Sequence, residues 1–251
     1  MFKRRQPQGN RREEDIGGQT VSGNKAAVGK VRIMKSFLTR YKHAWILCYG
    51  FVYLPWFLYL ERTVTRNYHI IHTWIDDLIP FNEYFIIPYL LWFFYVAGAI
   101  AYFFFKNKQD YYKMCALLFT GMTISLIICT IYHNGTDLRP MVDPDKNVFT
   151  WLVSRLHAAD TSTNIFPSVH VFNSIVVHIA IARSSCFKNR PWIVRLSFLL
   201  AASICLSTVF LKQHSVVDGF GSVIMCYALY PLFYGEGYAA NKRKLPRKAL
   251  G

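Results

Sequence analysis

Residues 192–218 read WIVRLSFLLAASICLSTVFLKQHSVVD, an apolar stretch that ends in a polar turn. The segment 192–210 carries a single charged residue, Arg195. Its length lies within the roughly 17–25 residues that a helix needs to cross a bilayer. The polar residues that follow this segment include Lys212, His214 and Asp218. We therefore expect a membrane helix whose end presents ionisable side chains at the bilayer surface.

Working outward from this stretch, the chain contains five more apolar segments of similar length. They cover residues 44–60, 84–105, 111–132, 168–184 and 214–235. Hydrophobic residues make up 53% of the chain and charged residues 17%, whereas about 25% is charged in a typical soluble domain. The sequence therefore predicts an all-α membrane protein, a bundle of six transmembrane helices.

The net charge of +15 would fit a nucleic-acid-binding protein if the cations were spread along the whole chain. Instead, 23 of the 29 Lys and Arg residues lie in 1–43, 106–113, 183–195 and 242–248, beside the apolar segments. Cytoplasmic loops of membrane proteins carry such an excess of cations. The distribution predicts a multi-pass protein of the cell membrane with both termini in the cytoplasm and no nucleic-acid partner.

The same pattern predicts the domain organisation. Residues 1–35 are polar and basic, which indicates a disordered cytoplasmic tail. Residues 36–236 form the six-helix domain, and 237–251 form a second basic cytoplasmic tail. The stretch 70–79 is expected to be a short helix lying on the membrane surface.

Three polar segments interrupt the apolar sequence at residues 134–140, 166–170 and 212–218. With six spans and cytoplasmic termini, all three fall on the extracytoplasmic face. The segments provide His170, His214, Asp218 and Arg139 at the ends of membrane helices. We therefore expect the active site on this face.

His214 and Asp218 are four residues apart, so one helical face would present both side chains. A carboxylate beside an imidazole fixes its tautomer and leaves the other ring nitrogen free to act as nucleophile or base. The alternative is a polar pair that only satisfies itself at the start of a helix. Ionisable residues in membrane segments are functional by default, which favours chemistry.

The other two segments suit an anion. Ser168 can cap a helix whose free N–H groups bind phosphate, and His170 could protonate a departing alkoxide. An ordinary helix cap with an interfacial histidine is the alternative. Arg139 can hold phosphate oxygens in a bidentate contact or pair with a lipid headgroup. Asp137 either orients Arg139 or is solvated.

Taken together, the three segments resemble the type 2 phosphatidic acid phosphatase (lipid phosphate phosphatase) superfamily. The family pattern is Lys-x6-Arg-Pro, then Pro-Ser-Gly-His, then Ser-Arg-x5-His-x3-Asp. The chain has Tyr132-x6-Arg139-Pro140, Pro167-Ser168-Val169-His170 and Ser207-Thr208-x5-His214-x3-Asp218. The resemblance implies that His214 is the nucleophile, Asp218 orients it, His170 is the acid, and Arg139 binds phosphate with the Ser168 region.

The chain departs from that pattern at three positions. Tyr132 replaces the first lysine, Val169 replaces the glycine beside the phosphate, and Thr208 replaces the arginine of the third motif. Lys212 lies in the same motif and is expected to supply the lost positive charge. These variations are similar to those of the inositol phosphorylceramide synthase branch, which contains phosphotransferases.

The resemblance implies a metal-independent lipid phosphatase that works through a phosphohistidine, with no cofactor and no metal. The expected partners are the bilayer and a membrane lipid phosphate, and no obligate protein partner is evident. One alternative is a phosphotransferase that moves a phosphate-containing headgroup to an alcohol. A second is a lipid transporter or scramblase without chemistry.

Overall fold

The structure is a computed structural model that describes residues 39–235. The described residues divide into two units between Trp45 and Ile46, and every element of the candidate site belongs to the second. The tails expected at 1–35 and 237–251 lie outside the described residues.

The described residues are mainly helical. A 3-10 segment, Lys42–Tyr49, leads into the first α-helix, and two others cover Glu83–Phe85 and Ser185–Phe187. In chain order the α-helices are α1 (Gly50–Thr63), α2 (Trp74–Leu78), α3 (Ile86–Lys106), α4 (Lys108–Ile131), α5 (Val148–Ala159), α6 (Val169–Arg183), α7 (Pro191–Phe210) and α8 (Val216–Tyr234).

Five of these helical segments are long and apolar enough to cross a membrane, which agrees with an all-α membrane protein. They are Lys42–Thr63, Glu83–Lys106, Lys108–Ile131, Pro191–Phe210 and Val216–Tyr234. Each one contains or overlaps a segment predicted from the sequence, with ends displaced by a few residues.

The span predicted at 168–184 is the exception. It forms α6, which has 15 residues and is therefore about 22 Å long, short of the roughly 30 Å of a bilayer core. Both of its ends are fixed locally. Ser168 caps the start, and the Ser184 hydroxyl accepts the Cys186 N–H and so begins a new 3-10 turn at the other end.

Although α6 is short, it lies at the centre of the helix bundle, where it packs against α3, α4, α7 and α8. Its buried side chains include Phe172, Val176 and Val177. The Phe172 ring lies against Gly121 of α4, where a Cβ atom would be 2.1 Å from the ring carbons. The partners of α6 in the bundle are therefore other helices.

A small parallel ladder interrupts the all-α architecture. Residues His69–Ile70 form β1 and Asn134–Gly135 form β2, and His69 pairs with Asn134. The surface helix expected at 70–79 is confined to α2, five residues capped by Thr73. The ladder joins the segment after α1 to the segment after α4 at one end of the bundle.

Candidate active site

The three polar segments meet at this end of the bundle through buried hydrogen bonds. The Asn134 side-chain oxygen accepts the N–H groups of Ile165 and Phe166 at 3.0 and 2.9 Å, so the first segment holds the second. The Ser168 N–H donates to the Asp218 carbonyl at 3.2 Å, so the second holds the third. The geometry therefore brings together residues that are far apart in the sequence.

His214 and Asp218 form the centre of the site. The His214 Nδ1 lies 3.2 Å from the Asp218 Oδ2, and the two residues are only 7% and 0% exposed. His214 precedes the helix and does not lie within it, because α8 begins at Val216 after its Ser215 cap. Asp218 accepts the Ser215 N–H at 2.9 Å with the same oxygen, which fixes the carboxylate that faces the imidazole.

The second histidine lies beside this pair. His170 is the second residue of α6, and its ring centre is 5.7 Å from that of His214. Two aromatic rings of α3 hold it there, with centroids 4.6 Å away for Tyr89 and 4.3 Å away for Trp92. The two imidazole rings are therefore close enough together to act on the same phosphate ester.

Ser168 acts as the cap that the sequence predicts. It is fully buried, and its hydroxyl accepts the Val171 N–H at 3.4 Å. Its carbonyl accepts the Ser222 hydroxyl at 2.7 Å, which ties the start of α6 to α8. Val169 and His170 supply the next two N–H groups, which have no intrahelical acceptor in the first turn of a helix and can bind an anion.

Arg139 is held by the protein itself. One terminal nitrogen donates to the Asp160 carbonyl at 2.6 Å, and the other donates to the Asp160 carboxylate at 3.2 Å and to the Thr161 carbonyl at 2.7 Å. The Nε atom is buried and has no partner. Burial raises the pKa of Asp160, and the adjacent guanidinium opposes that shift.

The sequence left open whether Asp137 orients Arg139, and the structure gives that position to Asp160. Asp137 instead lies 3.1 Å from the Nδ1 of His72. The His72 Nε2 contacts Asp77 at 2.7 Å, so a single imidazole bridges two carboxylates. The bridge joins the first polar segment to α2.

Tyr132 and Lys212 do not join the cluster of His170, His214 and Asp218. The Tyr132 ring stacks on His69 with centroids 4.6 Å apart. It also lines a groove of about 350 Å³ together with Ile70, Ile71, His72, Thr73, Phe166 and Val217. The Lys212 ammonium donates to the backbone carbonyl of Asp76 on α2. Any phosphate contact by Lys212 would require this bond to break or to be shared.

Sequence reasoning missed four polar neighbours of the site: Asp160, Asp76, His157 and Gln213. The Gln213 Nε2 lies 2.9 Å from the His157 Nε2. Burial, with a smaller contribution from Arg139, lowers the pKa of His157 to about 4. His157 is therefore neutral at physiological pH and can accept the amide proton. Among these residues, only Gln213 could have been suspected from the sequence, because it directly precedes His214.

Groups of three or more His, Cys, Asp or Glu residues arranged to hold a metal ion do not occur within residues 39–235. Comparisons of the chain with protein-family models, with curated proteins and with solved structures found no match. Function is therefore inferred from the geometry of the site.

Proposed function

We propose that this chain is a membrane-embedded phosphatase that hydrolyses a lipid phosphate through a phosphohistidine at His214. The observation that carries the proposal is the buried His214–Asp218 pair with the His170 ring 5.7 Å away. A pair that only satisfied itself would not need a second imidazole held beside it by two aromatic rings. The resemblance to lipid phosphate phosphatases assigns the same three residues to chemistry.

The first step forms a bond between the His214 Nε2 and phosphorus and breaks the bond from phosphorus to the lipid oxygen. Asp218 accepts a hydrogen bond from Nδ1–H, which directs the lone pair to Nε2 and stabilises the positive charge that develops on the ring. The negative charge of the bound phosphate favours the protonated form of His170, which gives its proton to the departing alkoxide. In the second step, neutral His170 takes a proton from water as the oxygen attacks phosphorus, and His214 is released.

Phosphate binding draws on the two anion-binding features of the site. The free N–H groups at the start of α6 face anions favourably because of the helix dipole. Arg139 adds positive charge and has an Nε proton that is not used by the protein. We assign phosphate binding to Arg139, Ser168 and Val169, and leave Tyr132 and Lys212 as candidates whose internal contacts argue for other roles.

We infer that the site faces the extracytoplasmic side and that both termini are cytoplasmic. Support comes from the turns at the end opposite the site, which carry Lys106, Lys108, Lys188 and Arg190. Single cysteines at Met141 and Asn189, both exposed and at opposite ends, test this in sealed vesicles after Cys48→Ser and Cys186→Ser. Labelling of position 141 from the cytoplasmic side alone would contradict the orientation.

The function itself is tested by offering the purified protein a panel of lipid phosphates and following free phosphate. We expect phosphate release by the parent, none by His214→Ala, and severely reduced release by Asp218→Asn, which keeps the shape but not the charge. Adding inositol, glycerol or ceramide and identifying the lipids by mass spectrometry separates hydrolysis from headgroup transfer. A headgroup-exchanged lipid with little free phosphate would make the chain a phosphotransferase, since the groove beside Phe166 and Val217 could admit an alcohol.

A further inference from the structure

The short helix α2 carries a buried carboxylate that accepts four hydrogen bonds. Asp76 is 2% exposed. Its Oδ2 accepts the Thr73 N–H at 2.9 Å and the Thr73 hydroxyl at 3.1 Å, which cap α2 itself. The other two bonds come from the start of α8, from the Ser215 hydroxyl at 2.6 Å and the Val216 N–H at 2.8 Å.

Ser215 connects Asp76 to the proposed nucleophile. The Ser215 hydroxyl donates a hydrogen bond to Asp76 and accepts one from the Val217 N–H at 3.2 Å. The Ser215 N–H donates to the Asp218 carboxylate at 2.9 Å. That carboxylate oxygen is the one that faces His214. A continuous path of hydrogen bonds therefore runs from α2 to the imidazole.

The chain is also held on the other side of His214. The Lys212 ammonium donates to the Asp76 carbonyl, and Lys212 has a φ of 56°, in the left-handed region that non-glycine residues rarely adopt. Residue 76 thus contacts the residues that precede and follow His214. Without these contacts, the turn between α7 and α8 would be free to relax its unusual backbone.

We propose that Asp76 is a positioning residue that fixes the turn carrying His214 and so aligns Nε2 with the substrate phosphorus. The inference deepens the proposed function and rests on it. It gives α2 a role in catalysis although none of its residues needs to touch the substrate.

The charge of Asp76 suits this role. Burial would raise the pKa of its carboxyl group, but the hydrogen bonds from Ser215, Val216 and Thr73 together hold the pKa below its usual value. The group is therefore ionised at neutral pH and accepts from all its donors. An amide in its place would turn one oxygen into an NH₂ group that faces donors and would lose at least one of these bonds.

The test compares Asp76→Asn with Asp77→Asn. Both changes remove one negative charge from the same helix, but the Asp77 side chain is 63% exposed and pairs with His72, which lies outside the turn that carries His214. A misplacement of about 1 Å can cost 100-fold in rate, so we expect Asp76→Asn to lower kcat about 10- to 100-fold with KM nearly unchanged. Asp77→Asn should stay within about twofold of the parent. Equal kcat values for the two variants would overturn the inference.

Two further measurements separate positioning from a general loss of fold. In a double-mutant cycle, the effects of Asp76→Asn and Ser215→Ala on kcat should be strongly non-additive, because both changes break the same path of hydrogen bonds. Simple additivity would count against the inference. Hydrogen exchange at the Val216 amide should speed up in Asp76→Asn and not in Asp77→Asn, and equal exchange would contradict the contact. Hydrogen exchange does not depend on turnover. If the parent protein were inactive, the proposed function would be rejected, but the exchange rates would still show whether Asp76 holds the turn in place.

Discussion

The candidate site has a histidine side, formed by His214 and Asp218, and an arginine side, formed by Arg139 and Asp160. The two sides differ in how many of their polar atoms form hydrogen bonds within the protein. On the histidine side, Asp218 holds only the Nδ1 of His214, and no described residue forms a hydrogen bond with Nε2. On the arginine side, both terminal nitrogens of Arg139 are used by Asp160 and Thr161, and only Nε lacks a partner. One side leaves its reactive atom available, and the other uses most of its donors to build the loop.

This difference separates two kinds of contribution. A nucleophile must be free to form a bond, so its neighbours orient it without occupying its reactive atom. A cation that only provides positive charge can be fixed by carbonyl groups and still act at a distance. We therefore expect changes on the histidine side to alter the rate and changes on the arginine side to alter stability and substrate affinity.

The largest expected effect is a loss of kcat on the histidine side of the site. His170→Ala should lower kcat about 100- to 10,000-fold, the usual contribution of a general acid and base, without a comparable change in KM. The control is His133→Ala, an exposed histidine at the same end of the bundle. Steady-state hydrolysis of a lipid phosphate measures both constants, and a His170 variant as active as the control would remove His170 from the mechanism.

Arg139→Ala tests the other side. It breaks three hydrogen bonds and leaves the partly buried Asp160 carboxylate without its cation, so we expect a loss of about 2 kcal/mol or more in stability and a raised KM. Arg155→Ala removes the same charge from an exposed position on α5 and should do neither. Thermal unfolding in detergent and steady-state kinetics provide the readouts. An unchanged unfolding temperature for Arg139→Ala would contradict the structural role.

Lys212 could act either by positioning His214, which would affect kcat, or by binding phosphate, which would affect KM. Its bond to the Asp76 carbonyl predicts that Lys212→Ala lowers kcat about 10-fold with little change in KM. Lys212→Arg, which can keep the bond, should retain more activity. If KM rises instead while kcat is kept, Lys212 binds phosphate as the third motif of the sequence predicts.

The smallest expected effect concerns the bridge from His72 to Asp77 and Asp137. The hydrogen bond that His72 donates to Asp77, together with the charges of both carboxylates, raises the pKa of His72. A raised histidine pKa stabilises the fold fully below about pH 6.5, the usual value, and this contribution is lost as the pH rises through the raised pKa. The unfolding temperature of the parent should therefore exceed that of His72→Gln at pH 5.5 and match it at pH 9.

The sequence predicted the helices well because long apolar segments carry a strong signal. Five of the six predicted spans are confirmed as helices of spanning length. The prediction for 168–184 matches the helix Val169–Arg183 to within one residue at each end, but at 15 residues this helix is shorter than the five helices of spanning length. The sequence prediction also placed His214 within the last helix, whereas the Ser215 cap leaves His214 in the preceding turn.

The candidate site was only partly predictable. Spacing within one motif identifies His214 and Asp218, because residues four apart meet by local geometry. Asp76 gave no such signal: it lies in a helix of five residues, and its partners are 139 and 140 residues away. Asp160 was missed for the same reason, since its contact with Arg139 depends on how the segment between α4 and α6, which contains α5, folds back.

The most direct test of the account is to trap the covalent intermediate. Parent protein mixed with a lipid phosphate labelled in the phosphate group should be quenched in alkali within one turnover, digested, and analysed by mass spectrometry. The account predicts a phosphate on the peptide that contains His214, attached to the ring nitrogen that does not face Asp218, and no such adduct in His214→Ala. Phosphate on another residue, or lipid phosphate hydrolysis by His214→Ala at the rate of the parent, would contradict it.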